Sequence, residues 1–282
     1  MELLRLKFVA NKFKELKRSW KIIIFSSLIL GIALVVASVI ASAKIHDLSD
    51  VIDSGRLTVV TDSSSMGFAV DKDSVYGFQY EIVKAFADSL GVELEISEQN
   101  DAKKAIESLK EGEYDIVANL VPMTTELKNG VIFSKTIMSS RQVLVQRMPA
   151  DSLQKGIVKK QYELANDTIY VPYNSVYKMR IENLADEIAD SIHILEIKNV
   201  STETMVRMVS QGRIKNTICS AQLAEKLKRQ YPNIDISLPL GFTQEHGWVL
   251  NSKSAALADK LNEFLSDFVG SSAYWELYRK YY

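Results

Sequence analysis

Polar side chains that could bind a small ligand follow two apolar stretches of the chain that are typical of strands. Three consecutive serines at 63–65 follow the stretch at 57–61 after one residue, Asp62, and Asn119 lies near the end of the stretch at 115–120. Ligands of α/β sheets bind beyond the carboxyl ends of the strands, where hydroxyl and amide groups can donate hydrogen bonds to them. The sequence therefore predicts a small-molecule site here, although loop serines are also common turn formers.

Further hydrogen-bonding groups lie near the same strand and in the second half of the chain. Thr124 and Thr125 follow Asn119 closely and supply two more hydroxyl donors. Asn174 and Ser175 stand where a predicted strand turns into a helix. Either residue can cap that helix, and the free amides of its first turn can donate hydrogen bonds to a ligand anion. Capping alone is the simpler interpretation of Ser175.

Two larger side chains have both a functional and a structural interpretation. Arg141 lies at the predicted boundary between two lobes, where it can pair with a ligand carboxylate or form a salt bridge at a hinge. Trp248 can stack on a sugar or peptide plane, but burial is the commoner fate of such a ring. Both residues are kept as candidates for the ligand site.

The sequence does not favour catalysis or metal binding. The acidic pairs Asp71 with Asp73 and Glu111 with Glu113 lie in polar turns, where solvated surface is the simpler interpretation. The three histidines of the chain have no metal-ligand spacing. The single cysteine, Cys219, lies in an apolar segment typical of a buried side chain. We therefore expect no catalytic residue, no metal site and no cofactor.

The elements that would position the polar side chains alternate between strand and helix. After the first strand and the serine loop, a helical pattern at 78–90 ends at Gly91 and leads into an alternating strand at 92–96. A strand, a loop, a helix and a strand in this order predict an α/β sheet.

A repeated pattern predicts two similar lobes. A helix at 102–110 leads into the strand at 115–120, and a helix at 201–211 leads into a strand at 216–219. Both strands have a polar residue, Asn119 or Ser220, near the carboxyl end, so that two strand ends can face one ligand across a cleft.

Two further stretches are predicted to connect the lobes. An alternating stretch at 141–146 is the predicted outgoing connection, and 247–250 is the predicted return. Lobe 1 would then comprise about 56–140 and 245–282, and lobe 2 about 147–244.

The first 55 residues predict a membrane anchor. A basic segment at 1–21 precedes an uncharged apolar run at 22–43, which is long enough to span a bilayer as a helix. The positive-inside rule keeps the basic segment cytoplasmic and places the rest outside, after a juxtamembrane linker at 44–55. Cleavage of a signal peptide after the Ala-Ser-Ala sequence at 41–43 is the alternative. The formal net charge of -1 gives no reason to expect nucleic-acid binding.

Several motifs resemble those of the family 3 extracytoplasmic solute-binding proteins. They are Gly77-Phe-Gln-Tyr-Glu, Ala87-Asp-Ser-Leu-Gly-Val-Glu-Leu-Glu, Leu109-Lys-Glu-Gly-Glu-Tyr-Asp-Ile-Val and Phe133-Ser. The resemblance covers about 56–282 and implies a two-lobed periplasmic-binding-protein fold of type 2, which closes by hinge motion over a small ligand. Segments that begin at Tyr231, Leu240 and Trp275 are similar to the substrate-binding-like module of membrane-bound lytic transglycosylase F.

The chain departs from the family at two positions that grip amino acids. The resemblance places Leu127 where amino-acid binders carry an arginine for the ligand carboxylate, with Lys128 beside it. It places Ser220 where an aspartate often holds the α-ammonium group, and Lys215 at an earlier common aspartate. A buried ligand charge without a partner is costly, so a free amino acid is disfavoured and a larger, more neutral ligand is favoured. A transglycosylase would also need a catalytic domain beyond Tyr282.

These observations predict a non-catalytic receptor. It would be anchored by one helix in the cytoplasmic (inner) membrane, with its α/β domain in the periplasm or extracytoplasmic space, and would sense or present a peptide or cell-wall fragment. The alternatives are a receptor for an amino-acid permease of the ABC type and a regulatory component of a lytic transglycosylase system. The candidate ligand-binding residues are Ser63, Ser64, Ser65, Phe78, Asn119, Thr124, Thr125, Lys128, Arg141, Asn174, Ser175, Ser220 and Trp248.

Overall fold

A computed structural model describes residues 45–72, 74–123, 129–149 and 156–282. The predicted basic segment and membrane helix lie outside these residues, and so do Thr124, Thr125 and Lys128. Among the helices of the described residues, none is long and apolar enough to cross a membrane.

The described residues form strands and helices that alternate along most of the chain. The strands are β1 (Arg56–Thr61), β2 (Ala69–Asp71), β3 (Ser74–Tyr76), β4 (Glu93–Glu98), β5 (Ile116–Pro122), β6 (Val131–Phe133), β7 (Met138–Ser140), β8 (Gln142–Arg147), β9 (Thr168–Pro172), β10 (His193–Ile197), β11 (Asn216–Ser220), β12 (Ile234–Asp235) and β13 (Gln244–Asn251). The helices are α1 (Leu48–Ser54), α2 (Phe78–Leu90), α3 (Ala102–Glu111), α4 (Val176–Ile188), α5 (Thr202–Ser210), α6 (Ala221–Gln230), α7 (Ala255–Phe268) and α8 (Ser272–Tyr281).

The first sheet has the strand order β4-β1-β5-β13-β6, and β7 also pairs with β13. Strands β4, β1 and β5 run parallel, whereas β13 runs antiparallel to β5. Helix α2 packs against this sheet because Ile82, Val83 and Phe86 share one apolar face and are fully buried. The helix ends at Gly91, whose left-handed φ of 71° suits a glycine. We call this sheet and its helices lobe 1.

The second sheet has the order β10-β9-β11-β8-β12. Strands β10, β9 and β11 are parallel, and β8 runs antiparallel to β11. The buried side chains of Ile169, Val171 and Ile218 form its core. The arrangement of β10, β9 and β11 repeats that of β4, β1 and β5, so that the structure is a two-lobed α/β fold, as the sequence predicted. We call this sheet and its helices lobe 2.

Two neighbouring segments connect the lobes. The outgoing chain leaves β7 and enters β8 through Arg141, and the return runs from Leu240 through 241–243 into β13. The amide of Leu240 donates a hydrogen bond to the carbonyl of Gln142 (2.9 Å). The side-chain amide of Gln142 donates to that of Gln244 (3.2 Å). The two connections therefore lie side by side, as a hinge requires.

Two elements differ in form from what the sequence suggests. The alternation of apolar residues at 234–238 predicts a strand, but β12 comprises only Ile234–Asp235. The Asp235 carboxylate accepts hydrogen bonds from the backbone amide and hydroxyl of Ser237 and turns the chain, and the Leu238 carbonyl then accepts a hydrogen bond from the Leu144 amide of β8 (2.9 Å). The predicted linker at 44–55 contains helix α1. Its N-cap Asp47 also accepts a hydrogen bond from the amide of Leu257 (2.8 Å), at the start of α7.

Candidate functional site

A cavity of about 160 Å³ lies between the two lobes. Lobe 1 contributes residues from the loop directly after β1 and from the carboxyl-terminal part of β5. Lobe 2 contributes the amino-terminal ends of α4, α5 and α6. This is the edge of the parallel strands at which ligands of α/β sheets bind.

Asp62 places a carboxyl group at this cavity, directly after β1. Its backbone carbonyl accepts hydrogen bonds from the amides of Ser64 (3.1 Å) and Phe68 (3.0 Å), which fold the loop back on itself. A Cβ atom at Gly67 would collide with the carbonyl and carboxylate oxygens of Asp62, so the close approach requires glycine. Burial raises the pKa of Asp62, because desolvation disfavours the charged form. A cationic ligand group would offset that desolvation.

The three predicted serines have three different roles. The Ser64 hydroxyl lines the cavity but accepts hydrogen bonds from the amides of Met66 (3.1 Å) and Gly67 (3.0 Å), as a turn former does. The backbone of Ser63 donates to the Asn100 side chain (2.9 Å), and Ser63 does not line the cavity. Ser65 does not line it either; it reaches across to lobe 2.

Ser65 connects the lobes through two charged side chains. Its hydroxyl donates a hydrogen bond to the Glu203 carboxylate, on α5, and accepts one from the Lys226 ammonium group (2.8 Å), on α6. That ammonium nitrogen also lies 4.0 Å from the Glu203 carboxylate. Burial lowers the pKa of Lys226, and the Glu203 charge partly opposes this effect. We call Ser65, Glu203 and Lys226 the latch.

A second contact between the lobes involves Asn174. Its side-chain amide donates a hydrogen bond to the Asp101 carboxylate of lobe 1 (2.8 Å), while its backbone amide donates to Glu196 (2.9 Å). Asn174 adopts a left-handed φ of 51°, which asparagine tolerates better than most residues. Asn174 therefore joins the lobes and does not line the cavity between them. Together with the latch, this contact holds the structure in a closed arrangement.

The beginning of α4 has an unused hydroxyl group. Ser175 occupies the N-cap position but makes no side-chain capping bond, so the capping interpretation was wrong. Within the described part of the chain its buried Oγ atom has no hydrogen-bond partner, and the residue lines the cavity. The amides of a first helical turn also have no partner within the helix and attract anionic or carbonyl oxygens. Ser175 and this turn form a ready hydrogen-bonding site.

Other predicted residues line the cavity, but some of their polar groups already form hydrogen bonds within the protein. Asn119 accepts hydrogen bonds from the amide of Asp62 (2.9 Å) and the Thr61 hydroxyl (3.0 Å), which fixes the end of β1. Ser220 caps α6, since its hydroxyl accepts a hydrogen bond from the Leu223 amide (3.4 Å). Arg141 lines the cavity from the outgoing connection and is exposed.

Phe78 and Trp248 lie in the core of lobe 1 and do not line the cavity. Both side chains are fully buried, which excludes ligand stacking. The Trp248 indole donates a hydrogen bond to the side-chain carbonyl of Gln79 (2.6 Å). The Phe78 ring packs edge-on against the rings of Tyr274, Tyr281 and Tyr282. Both residues are accordingly removed from the proposed site.

Among the cavity residues that sequence reasoning missed are Asp62, Tyr177, Glu203 and Tyr282. Asp62 could have been found, because it is the first residue after the strand that precedes the serines. Burial raises the pKa of both tyrosines, so their phenols stay protonated and can donate hydrogen bonds. Their placement depends on contacts between distant segments, for which the sequence has no local signal.

The fold is that of the type 2 amino-acid-binding proteins. An ancestral arginine-binding protein, solved with arginine bound, superposes with a TM-score of 0.68 at 22% identity, covering 81% of this chain and 98% of that one. A mutant of ArgBP from T. maritima gives a TM-score of 0.70 at 21% identity, covering 83% of this chain and 98% of that one. At these identities the likeness shows the fold alone.

The sequence defines the family. The profile of the bacterial extracellular solute-binding proteins, family 3, matches residues 57–282, and the chain belongs to that family. The resemblance inferred from the motifs is thereby confirmed.

The curated relatives include proteins named membrane-bound lytic murein transglycosylase F. The one from Desulfosudis oleivorans is 28% identical over 229 residues, which are 81% of this chain and 49% of that protein. One from Pseudomonas putida is 26% identical, over 85% of this chain and 48% of that protein. The chain therefore spans about half the length of the curated relatives it matches.

Proposed function

We propose that the chain is a membrane-anchored extracytoplasmic receptor that binds a peptide or cell-wall fragment carrying an amine, without transforming it. The observation that carries the proposal is the pairing of groups in the cavity. Asp62 offers a desolvated carboxylate for the amine. The first turn of α4, with the unpartnered Ser175 hydroxyl, offers hydrogen-bond donors for a neighbouring carbonyl or carboxylate oxygen.

The lining of lobe 2 supports a peptide over a free amino acid. Ser220 stands at the end of β11, and its hydroxyl caps α6. Ser220 has no charge to offset the desolvation of an α-ammonium group held there, and the Glu203 carboxylate, which also lines the cavity from lobe 2, is engaged by the Ser65 hydroxyl. The cavity is also small: about 150 Å³ suffices for a benzene-sized molecule, so one side chain or amine-bearing group fills it. The rest of a longer ligand would extend toward the mouth of the cleft.

The proposed location follows from the apolar run at 22–43 and the basic segment that precedes it. The name of the relatives, membrane-bound lytic murein transglycosylase F, agrees with it. Such a receptor would present its ligand state to a partner at the membrane. A cell-wall enzyme is the partner we favour over a permease, since the relatives are named as murein transglycosylases, whereas the likeness to transport receptors is limited to the fold.

A thermal-shift screen tests the proposal. A ligand at about one hundred times its Kd stabilises a protein by about 2.7 kcal/mol, which for a domain of this size raises Tm by roughly 5–10 °C. We expect such shifts with muropeptides or short amine-bearing peptides and none with free amino acids. A shift of this size with one free amino acid alone would contradict the proposal. Cleavage of purified cell wall by the chain in a zymogram would contradict its non-catalytic part.

A further inference from the structure

A second cavity, of about 200 Å³, opens beside the first at the mouth of the cleft. The two cavities share Asn100 and Val200 as lining residues. We call this second cavity the annex. A ligand too long for the inner cavity would enter the annex next.

The annex carries positive charge from both lobes. Lys104, on α3, lines it from lobe 1, and Lys198, directly after β10, lines it from lobe 2. The Lys198 ammonium group lies 4.7 Å from the centroid of the Tyr173 ring, and this cation–π contact holds it at the annex. Within the described part of the chain, neither lysine has a carboxylate at ion-pair distance.

The carboxylate of the annex, Asp101, does not neutralise these charges. One of its oxygens accepts a hydrogen bond from the Lys104 backbone amide (3.0 Å), and the other accepts one from the Asn174 side chain (2.8 Å). Both oxygens are thus engaged by neutral groups that shape the annex. Two ammonium groups against one carboxylate leave a net positive charge.

We propose that the annex binds a carboxylate at the outer end of the same ligand, in an inference that rests on the function proposed above. The ligand is then a dipolar peptide with its amine inside, at Asp62, and a free carboxylate outside, between Lys104 and Lys198. Because the two lysines belong to different lobes, the carboxylate completes its contacts only when the cleft is closed. Recognition of the outer end and closure of the cleft are therefore coupled.

Matched peptides test the proposal by isothermal titration calorimetry. The probes are peptides of about three to five residues, a reach of roughly 10–18 Å when extended, with lysine first and alanine elsewhere. Each is made as a free acid and as a C-terminal amide. The full chain is compared with the double variant Lys104→Gln/Lys198→Gln. Lys103→Gln is the control, because Lys103 is a neighbouring exposed lysine that pairs with Glu107 (3.9 Å) and does not line the annex.

We expect the wild-type chain to bind a free acid about tenfold more tightly than its amide, as one charge-assisted contact supplies. The double variant should lose that preference while keeping its affinity for the amides, and Lys103→Gln should keep both. Equal affinity of acid and amide for the wild-type chain would overturn the proposal while leaving the proposed function standing. So would an equal loss of both affinities in the double variant. If added inorganic phosphate raised the affinity of the wild-type chain for an amide to the affinity for the free acid, the assignment to the ligand's own carboxylate would be overturned. Binding of no peptide at all, together with a free amino acid that binds, would overturn both.

Discussion

Removing the Ser65 hydroxyl should open the cleft without unfolding the domain. Ser65→Ala deletes the hydrogen bond from the Ser65 hydroxyl to Glu203 and the one from Lys226, and leaves the long hydrogen bond from the Ser65 backbone amide to Glu203 (3.4 Å). Ser65 does not line the cavity, whereas its partner Glu203 does. In Ser65→Ala, Glu203 keeps that backbone amide and the Lys226 ammonium group (4.0 Å) as partners, so the effect on ligand binding should arise chiefly through closure.

The size of the effect follows from the contacts. A hydrogen bond to a charged group contributes about 1.5–3 kcal/mol. The Glu203 and Lys226 side chains are 24% and 28% exposed and can still pair with each other, 4.0 Å apart. Part of the stabilisation of the closed state is therefore retained. We expect the closed state to lose about 1–2 kcal/mol, which lowers the ratio of closed to open molecules roughly 5- to 30-fold. The apparent affinity for a ligand that needs the closed state falls by up to the same factor.

Pulsed electron paramagnetic resonance measures this closure directly, even without a ligand. Spin labels at Glu107→Cys, on α3, and Glu182→Cys, on α4, report the distance between the lobes, because both positions are exposed. The native Cys219 is the only cysteine and is buried, which protects it from labelling.

The matched control for Ser65→Ala is Ser63→Ala, which changes a neighbouring serine outside the latch and the cavity lining. We expect longer inter-label distances in Ser65→Ala and the wild-type distribution in Ser63→Ala. Wild-type distances in both variants would refute the assignment of Ser65 as a closing contact.

Three further substitutions have distinct expected outcomes. Asp62→Asn should raise the Tm of the unliganded chain and abolish amine binding. Burial raises the pKa of Asp62 above its unfolded value, so the wild-type chain should gain stability as pH falls through that raised pKa and lose amine binding in the same range. Calorimetry across pH tests both expectations. If Asp62→Asn showed the same dependence of Tm on pH as the wild-type chain, this would argue against a desolvated carboxylate. Ser175→Ala should leave the free energy of unfolding within about 0.5 kcal/mol of the wild-type value, since no capping bond exists. It should still weaken ligand binding about fivefold, as the loss of a hydrogen bond of about 1 kcal/mol requires. A loss of about 1 kcal/mol in urea unfolding, as expected for a lost helix cap, would contradict this. Trp248→Phe should cost about 2–4 kcal/mol in urea unfolding, through a cavity and an unpaired Gln79 carbonyl. Because Gln79 lines the ligand cavity whereas Trp248 does not, ligand affinity should change less than stability; a loss of affinity without a loss of stability would return Trp248 to the site.

The fold could be predicted from the sequence because its signals are local. The helix predicted at 102–110 is observed at Ala102–Glu111, and the strand predicted at 57–61 is observed at Arg56–Thr61. A glycine in the left-handed conformation after α3, at Gly112, and the apolar spacing within each element decide these bounds. The repeat of helix and strand in both halves was also enough to predict two lobes.

The site could be predicted only in part, because it depends on contacts between the lobes. Ser65 and Glu203 are 138 positions apart, and nothing near either residue indicates that they meet. For Trp248 the sequence favoured burial but left stacking on a ligand open, and only its placement beside Gln79 decides between them. For Ser175, the local pattern predicted a cap, whereas the structure leaves its hydroxyl free for a ligand.

Isothermal titration of one purified muropeptide that carries a free amine and a free carboxylate, against the wild-type chain and Asp62→Asn, tests the central claim most directly. The account predicts binding by the wild-type chain, loss of binding by Asp62→Asn, and no measurable heat with the free amino acids that make up the peptide. Equal binding by both chains, or binding of one of those amino acids in place of the muropeptide, would contradict it.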